Sequence, residues 1–305
     1  MRSIVLSSGG PTGFRQRLNH LIWRLIQVLP DRSFVSLKFF SIGGRFPNLD
    51  APRNFTDKVQ VRKLYDRDPR FPVMVDKHAV KKFVRERVGE DYVIGTLWVG
   101  RDLSEVDWTT IRLPVVVKPT HGSGQGVFLE KQADIKTLLE SDLPDKWLET
   151  RHYRHNREWA YGEFEPKLII EEMLQGATDA PDDYRFFVFS GKVRLIAVRL
   201  RRKGVSYEAF FSPDGIRLDL QTGYRTPASG DVELPASLAR MIRVAEQVAC
   251  DTDFVRVDLY ALEDRVFVGE LTLYPGGGFP GCVPDAWDRK LGDMWDLRAR
   301  PPARR

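Results

Sequence analysis

The chain has 305 residues, 42% hydrophobic and 29% charged, with 47 basic against 42 acidic side chains and a net charge of +5. That length holds roughly two domains or one large unit with subdomains, and no apolar run approaches the ~20 residues of a membrane-spanning helix. Two cysteines in so long a chain exclude a disulfide scaffold, and the modest basic excess, without any nucleic-acid motif, fits an anionic or phosphate-bearing substrate better than nucleic acid.

The opening MRSIVLSSGGPTG lacks the apolar core of a secretory signal, which predicts a protein that stays in the cytoplasm. Next, Phe14, Leu18, Leu21, Ile22, Leu25 and Leu29 recur at helical spacing, with Arg15, Arg17, His20 and Arg24 between them. This is a basic amphipathic helix, either packed on the body or held peripherally at the inner face of a membrane; it belongs to an N-terminal segment, 1–45. Further helices are predicted over Thr56 to Tyr65 and over Asp76 to Val88, where Ala79, Val80, Phe83, Val84 and Val88 share one side.

The chain then alternates. Strands Val115 to Val117 and Val127 to Leu129 flank a glycine-rich loop; a helix near 134–140 follows; LIIEEML, Leu168 to Leu174, reads as a buried strand running into a connection. RHYRH, with His152 and His155, offers no third metal ligand and reads as solvated. Later come strands Arg185 to Phe189 and Val193 to Leu200, a helix near 236–249, and the strands FVRVDLYAL and VFVGELTL. The tail RARPPARR reads as disordered. Helices and hairpins so interleaved predict an α+β fold with α/β subdomains around a central cleft. The divisions are 46–113, 114–172 with the glycine loop, 173–297, and the tail from 298.

Two stretches carry chemistry. VVVKPTHGSGQGVFLEK, Val115 to Lys131, is a hairpin with a tip bare enough for close backbone approach, and phosphate is the candidate ligand. Its spacing matches neither G-x-x-x-x-G-K-[ST] nor G-x-G-x-x-G opening a helix, and the alternative is a plain tight turn. In FVRVDLYALEDRVFVGELTL, Arg256 and Asp258 share a strand face, as do Glu270 and Thr272 on the next strand. A three-residue loop of Glu263, Asp264 and Arg265 sets Asp258 opposite Glu270. Facing carboxylates repel, so such a pair needs a proton or a cation, and oxygen-only ligands favour Mg²⁺.

The ordered set FPNLDAPRNFTDKVQVRKLYDRD, VDKHAVKKFV, VVVKPTHGSGQG, IIEEML, DYRFFVFSGK, FVRVDLY and GELTLYPGGGF resembles the ATP-grasp fold, and within it the TupA-like family of teichuronopeptide biosynthesis. The resemblance runs from about Phe46 to Leu291 and implies ATP and Mg²⁺ held between two β-rich subdomains, with the N-terminal helix as an extension. It implies that Lys77 and Lys118 meet the α- and β-phosphates, and that His121, Gly122, Ser123, Gly124 and Gly126 form the lid. Glu171, Glu172, Met173 and Leu174 become the adenine hinge, and Asp183 an acid near the ribose or hinge. Asp258, Glu270 and Thr272 become the metal ligands, and Arg256 the cation beside the reacting acyl phosphate. Arg185, Arg199 and Arg201 are further phosphate or carboxylate candidates. Many ATP-grasp enzymes carry Glu-x-Asn where this chain has Glu270-Leu271-Thr272, which puts the strength of a second metal site in doubt.

The activity implied is an ATP-dependent carboxylate–amine ligase acting through an acyl phosphate, with the uronic-acid carboxyls of a cell-surface polysaccharide or its precursor joined to an amino acid or other amine. A glycosyltransferase using a nucleotide sugar is the alternative; its Asp-x-Asp requirement is met only by Asp66-Arg67-Asp68, before Pro69. A nucleotide-binding scaffold is a third reading, disfavoured because a scaffold has no need of both lysines and both carboxylates.

Overall fold

The computed structural model describes residues 27–122, 124–174, 181–202, 204–249 and 251–299. The expected basic N-terminal helix, Ser123 and most of the tail lie outside the described residues; positions 27–29, the end of that expected helix, form a turn. The described helices are α1 (Asp31–Gly43), α2 (Phe55–Tyr65), α3 (Phe71–Val75), α4 (Ala79–Val88), α5 (Gln132–Leu139), α6 (Leu143–Glu149), α7 (His152–Asn156), α8 (Leu238–Ala249) and α9 (Ala286–Asp293). None of them is long and apolar enough to cross a membrane.

A smaller sheet is built from β1 (Thr96–Gly100), β2 (Val115–Pro119), β3 (Val127–Leu129) and β4 (Leu168–Glu172) in the order β1-β4-β2-β3, every pair antiparallel. The run VVVKP is β-branched and alternates in burial, with Val115 and Val117 fully enclosed and Val116 and Lys118 on the other face. The enclosed face packs on Ile135 and Leu138 of α5 and Trp147 of α6, a core separate from the main one.

The larger sheet contains β5 (Asp183–Phe189), β6 (Lys192–Arg202), β7 (Val205–Phe211), β9 (Thr226–Pro227), β10 (Phe254–Leu262) and β11 (Arg265–Thr272), in the order β11-β10-β5-β6-β7-β9. Two short strands, β8 (Gln221–Thr222) and β12 (Cys282–Val283), pair beside it. All seven residues of β5 are buried because both sheet faces are covered. One cover is α8, whose Met241, Val244, Ala245, Val248 and Ala249 fall at i, i+3, i+4, i+7 and i+8 and form its buried stripe. On the other side an aromatic group gathers around Phe55, 5.0 Å from the Phe254 ring and 5.5 Å from Trp295.

Three local expectations are corrected. The helix expected from Asp76 begins at Ala79, because the Asp76 carboxylate accepts from His78 N (2.8 Å) and Ala79 N (3.3 Å) and caps a turn that holds Lys77. Helix α1 has no counterpart in the sequence reading; it buries only Phe34, Val35 and Phe39 and stops at Gly44, whose φ of 69° suits glycine. The β10–β11 turn has two residues, Glu263 and Asp264, since Leu262 pairs with Arg265. A bulge at Gly269 then adds back one position, so Asp258 still faces Glu270. The bulge needs glycine: a Cβ there would lie 2.6 Å from the Tyr260 ring.

Candidate functional site

Antiparallel register places the site on one face of the larger sheet as rows across the strands. One row reads Glu270, Asp258, Arg185, Ala197, Phe210; the next, towards the hairpin end of β10, reads Tyr260, Asp183, Arg199, Glu208; the third, on the other side, reads Thr272, Arg256, Phe187, Leu195. Every member of a row points the same way because side chains alternate along each strand. The first and third rows are therefore charged at the β11 end and apolar at the β6–β7 end, whereas the row through Asp183 stays charged as far as Glu208.

At the charged end Arg256 holds Asp258 in a fork, Nε to Oδ1 at 2.6 Å and Nη2 to Oδ2 at 2.6 Å. The same Nη2 donates to Glu270 Oε1 (3.3 Å) and Thr272 Oγ1 (3.0 Å), and the Thr272 hydroxyl donates to Glu270 Oε1 (3.2 Å). Burial lifts the Asp258 carboxyl to about 7. Burial would also raise Glu270, but Lys77, Arg256 and Arg185 more than offset it and bring it down to about 2. Three oxygen-bearing side chains thus converge on one cationic nitrogen, a donor set that suits a hard divalent cation.

Arg185 forks onto Asp183 Oδ2 (2.9 and 2.7 Å), lies 3.7 Å from Asp258 Oδ2 and 4.0 Å from Glu208 Oε1. Asp183 Oδ1 is buried with no hydrogen-bond partner among the described residues. Arg199 reaches Asp183 at 3.8 Å, and burial beside Arg185 lowers it to about 10. Arg201 lies two positions farther along β6, towards its end.

The lysines come from the other sheet and the turn before α4. Lys77 donates to Gly122 O at 2.5 Å, tying the glycine loop to the turn, and burial lowers its ammonium to about 8. Lys118 pairs with Glu171 Oε2 at 2.5 Å and Lys81 with Glu171 Oε1 at 2.8 Å. Burial of Glu171 would favour its neutral form, yet the two lysines hold it below its usual carboxyl value. Glu171 points at the lysines, whereas Glu172 is exposed and Met173 and Leu174 are half-buried beyond the strand end. A narrow cleft, with a cavity volume of about 10 Å³, opens here between the sheets, touched by Lys77, Lys81, Glu171, Ile94, Val268 and Gly269.

In the loop, Gly122 and Gly124 have φ of 79° and 71°, and a Cβ added at Gly126 would lie 3.4 Å from that of Lys118. His121 is buried, its Nε2 2.9 Å from Thr150 O and its Nδ1 without a partner among the described residues. His152, expected to be solvated, is instead largely enclosed: it contacts the Tyr161 ring edge-on at 4.8 Å, lies 3.7 Å from Glu158, and is 20% exposed.

Burial, with Lys77 and His155 nearby, lowers His152 from 6.5 to about 4. The unfolded chain therefore takes up a proton on this ring below pH 6.5, while the folded chain does not until about 4. Stability is complete above 6.5 and falls by about 2–3 kcal/mol as pH drops towards 4. Urea melts of wild type and His152→Gln at pH 7.5 and 4.5 should show a smaller pH loss in the variant. Equal losses would show that His152 does not titrate as described.

Sequence reasoning did not single out Lys81 or Glu208. Glu208 had a legible signal, an acid standing before Ala209, Phe210 and Phe211 in a strand. Lys81 had none, since a lysine on an amphipathic helix normally faces water.

A family model for TupA-like ATP-grasp proteins matches residues 57–296, more than half of the chain. Comparison with curated proteins finds no match. Among solved structures, D-alanine–D-alanine ligase from Bacillus anthracis is similar at 19% identity and a TM-score of 0.45, covering 73% of this chain and 66% of that one. The VanG D-Ala:D-Ser ligase from Enterococcus faecalis follows at 13% and 0.41, covering 74% and 60%. The ATP-grasp ligase PsnB with a variant precursor, Mg and ADP gives 17% and 0.39, covering 92% and 70%. The chain spans just under two thirds of the length of the D-alanine–D-alanine ligase.

Proposed function

The chain belongs to the TupA-like family of the ATP-grasp fold, and from that premise we propose that it is an ATP-dependent carboxylate–amine ligase. The carrying observation is the Asp258–Glu270 pair with Thr272, converging on one cationic nitrogen, with Lys77 near enough to help hold Glu270 charged. Such an arrangement suits a nucleotide's phosphates between two cationic side chains and a divalent metal.

In this proposal Lys77 and Lys118 meet the phosphates, with Lys118 aimed by Glu171. The loop of His121, Gly122, Ser123, Gly124 and Gly126 covers them with backbone N–H groups. The segment Glu172, Met173 and Leu174 borders the adenine, and Asp183 with its unpartnered oxygen faces the nucleotide side. Asp258, Glu270 and Thr272 hold Mg²⁺, which when bound screens the charge of the phosphates and polarises the transferred group. Arg256, Arg185 and Arg199 stabilise the developing charge.

The reaction class has two displacements. A carboxylate oxygen bonds to the γ-phosphorus of ATP as the bond to the ADP oxygen breaks. An amine nitrogen then bonds to the acyl carbon, the carbon–oxygen bond to phosphate breaks, phosphate leaves with the electron pair, and the surplus ammonium protons pass to solvent. The protein contributes position and charge rather than a covalent link. For the carboxylate we propose a uronic acid of a cell-surface polysaccharide or its precursor, joined to an amino acid or amine at the cytoplasmic side.

A melting experiment with Mg²⁺·ATP beside UDP-sugars tests this. Ligand at ~100 times its dissociation constant stabilises by about 2.7 kcal/mol, a rise of several degrees for a chain of this size. Stabilisation by UDP-sugar alone would replace the ligase with a glycosyltransferase.

A further inference from the structure

Beyond Arg185 and Arg256 the site face opens into a second, larger recess with a cavity volume of about 70 Å³, open to solvent and distinct from the cleft beside Lys77. Its floor is the apolar end of the rows: Phe187, Leu195, Ala197 and Phe210. Its far walls include Leu220 and Phe279, and Tyr224 and Gly276 stand at its edge. Gly276 belongs to the Pro275–Gly278 turn, in which all three glycines have φ between 59° and 69°, so the turn that borders the recess is reserved for glycine.

Among the described residues that line it, the charged ones are Arg185, Arg256 and Glu208. Glu208 is the acid of that set and is 7% exposed. Its Oε2 accepts from the Thr222 hydroxyl at 2.6 Å, which fixes the carboxylate. Among the described residues its Oε1 has looser partners, Arg225 Nε at 3.4 Å and Arg185 Nη1 at 4.0 Å. Arg185 also lies 3.7 Å from Asp258, so Glu208 stands one guanidinium away from the proposed metal carboxylates. Arg185, whose Nε and Nη2 are held by Asp183, turns its Nη1 towards Glu208 and lines the recess.

We propose that this recess holds the amine substrate and that the amine is an α-amino acid with a sizeable apolar side chain. The ammonium lies against Glu208, the carboxylate against Arg185, and the side chain on Phe187, Leu195 and Phe210. A sugar amine would lay hydroxyls on Phe187, Leu195 and Phe210, which offer them no partner, while the lining hydroxyls of Thr56 and Thr222 already donate to Asp288 and Glu208; a buried polar group without a partner is costly. An acidic amino acid would bring a second carboxylate to the same floor. The inference rests on the ligase reading and supplies what that reading leaves open, the class of the amine.

The test uses the full chain saturated with Mg²⁺·ADP, titrated calorimetrically with L-leucine, L-phenylalanine, L-serine, L-glutamate and glucosamine. Leucine or phenylalanine should bind at least about tenfold more tightly than the three polar amines, consistent with the discrimination an apolar pocket achieves per added carbon. Glu208→Gln should weaken leucine binding at least about tenfold while Mg²⁺·ATP still raises the melting temperature of the variant. Glutamate or glucosamine binding as tightly as leucine, or no amine binding where Mg²⁺·ATP does bind, overturns the proposal and leaves the ligase reading standing. Failure of wild type to bind Mg²⁺·ATP overturns the ligase reading and this inference with it. The wild-type series depends on no variant being folded.

Discussion

Replacing Asp258 by Asn together with Glu270 by Gln is expected to lower ATP-dependent phosphate release at least about 10³-fold while leaving a folded protein. The size follows from what is removed: both carboxylates of the proposed cation site, in an enclosed place where charge is poorly screened. The amides keep the shape, but each offers one oxygen acceptor, so one of the two Arg256 N–H groups that now hold Asp258 at 2.6 Å loses its partner. Arg185 keeps Asp183 at 2.7 Å. The melting temperature without ligand should fall as well, because the buried Arg256 loses its counter-charges, whereas the rise with Mg²⁺·ATP should vanish. Phosphate release within tenfold of wild type, or an unchanged rise with Mg²⁺·ATP, would mean that the cation does not sit on these carboxylates. Single variants serve as a control: if the pair acts as one ligand set, either change alone should cost nearly as much as both.

Much of this site could be read from alternation alone. Arg256, Asp258, Glu270 and Thr272 are two apart on their strands, and two-residue spacing fixes a shared face whatever the rest of the fold does. The facing of Asp258 and Glu270 was reached with a three-residue loop, whereas the chain uses a two-residue turn and a bulge at Gly269. Two departures of opposite sign cancel, since the bulge restores the position the turn removes. The partner of Glu171 was less legible. A strand ending in two glutamates does not say which one turns inwards, and the ion pairs with Lys118 and Lys81 depend on how β4 lies beside β2 and how α4 packs over them. Helix α2 was legible as a helix and illegible as a support, for its polar residues Thr56, Asp57, Gln60, Arg62 and Lys63 are all buried. Periodicity assigns such residues to water.

Arg62→Ala should be the most damaging single change for stability, by about 3–5 kcal/mol, the usual cost of removing one partner of an enclosed ion pair. The side chain is 0% exposed. It forms a close ion pair with Asp253, donates to Phe254 O at 2.7 Å, lies 3.4 Å from Asp66, and stacks on the Trp295 ring at 4.5 Å. Without it Asp253 keeps the backbone N–H of Arg298 at 3.0 Å but loses its counter-charge. For a chain of this length the melting temperature should fall on the order of 10 °C. Arg85→Ala, which breaks the exposed pair with Glu90, should leave the melting temperature nearly unchanged, because solvent screens such a pair. Burial rather than the ion pair itself makes the difference, so Arg62→Met with Asp253→Leu should recover much of the loss. A single variant as stable as wild type, or a double variant worse than the single, would show that the pair is not the link described. The consequence reaches the site because Asp253 and Phe254 lead directly into the strand carrying Arg256 and Asp258. The same helix donates from Gln60 and Lys63 to the carbonyls of the glycine turn at the recess. Loosening α2 should therefore weaken Mg²⁺·ATP binding at temperatures where Arg62→Ala is still folded, a loss that Arg85→Ala should not show.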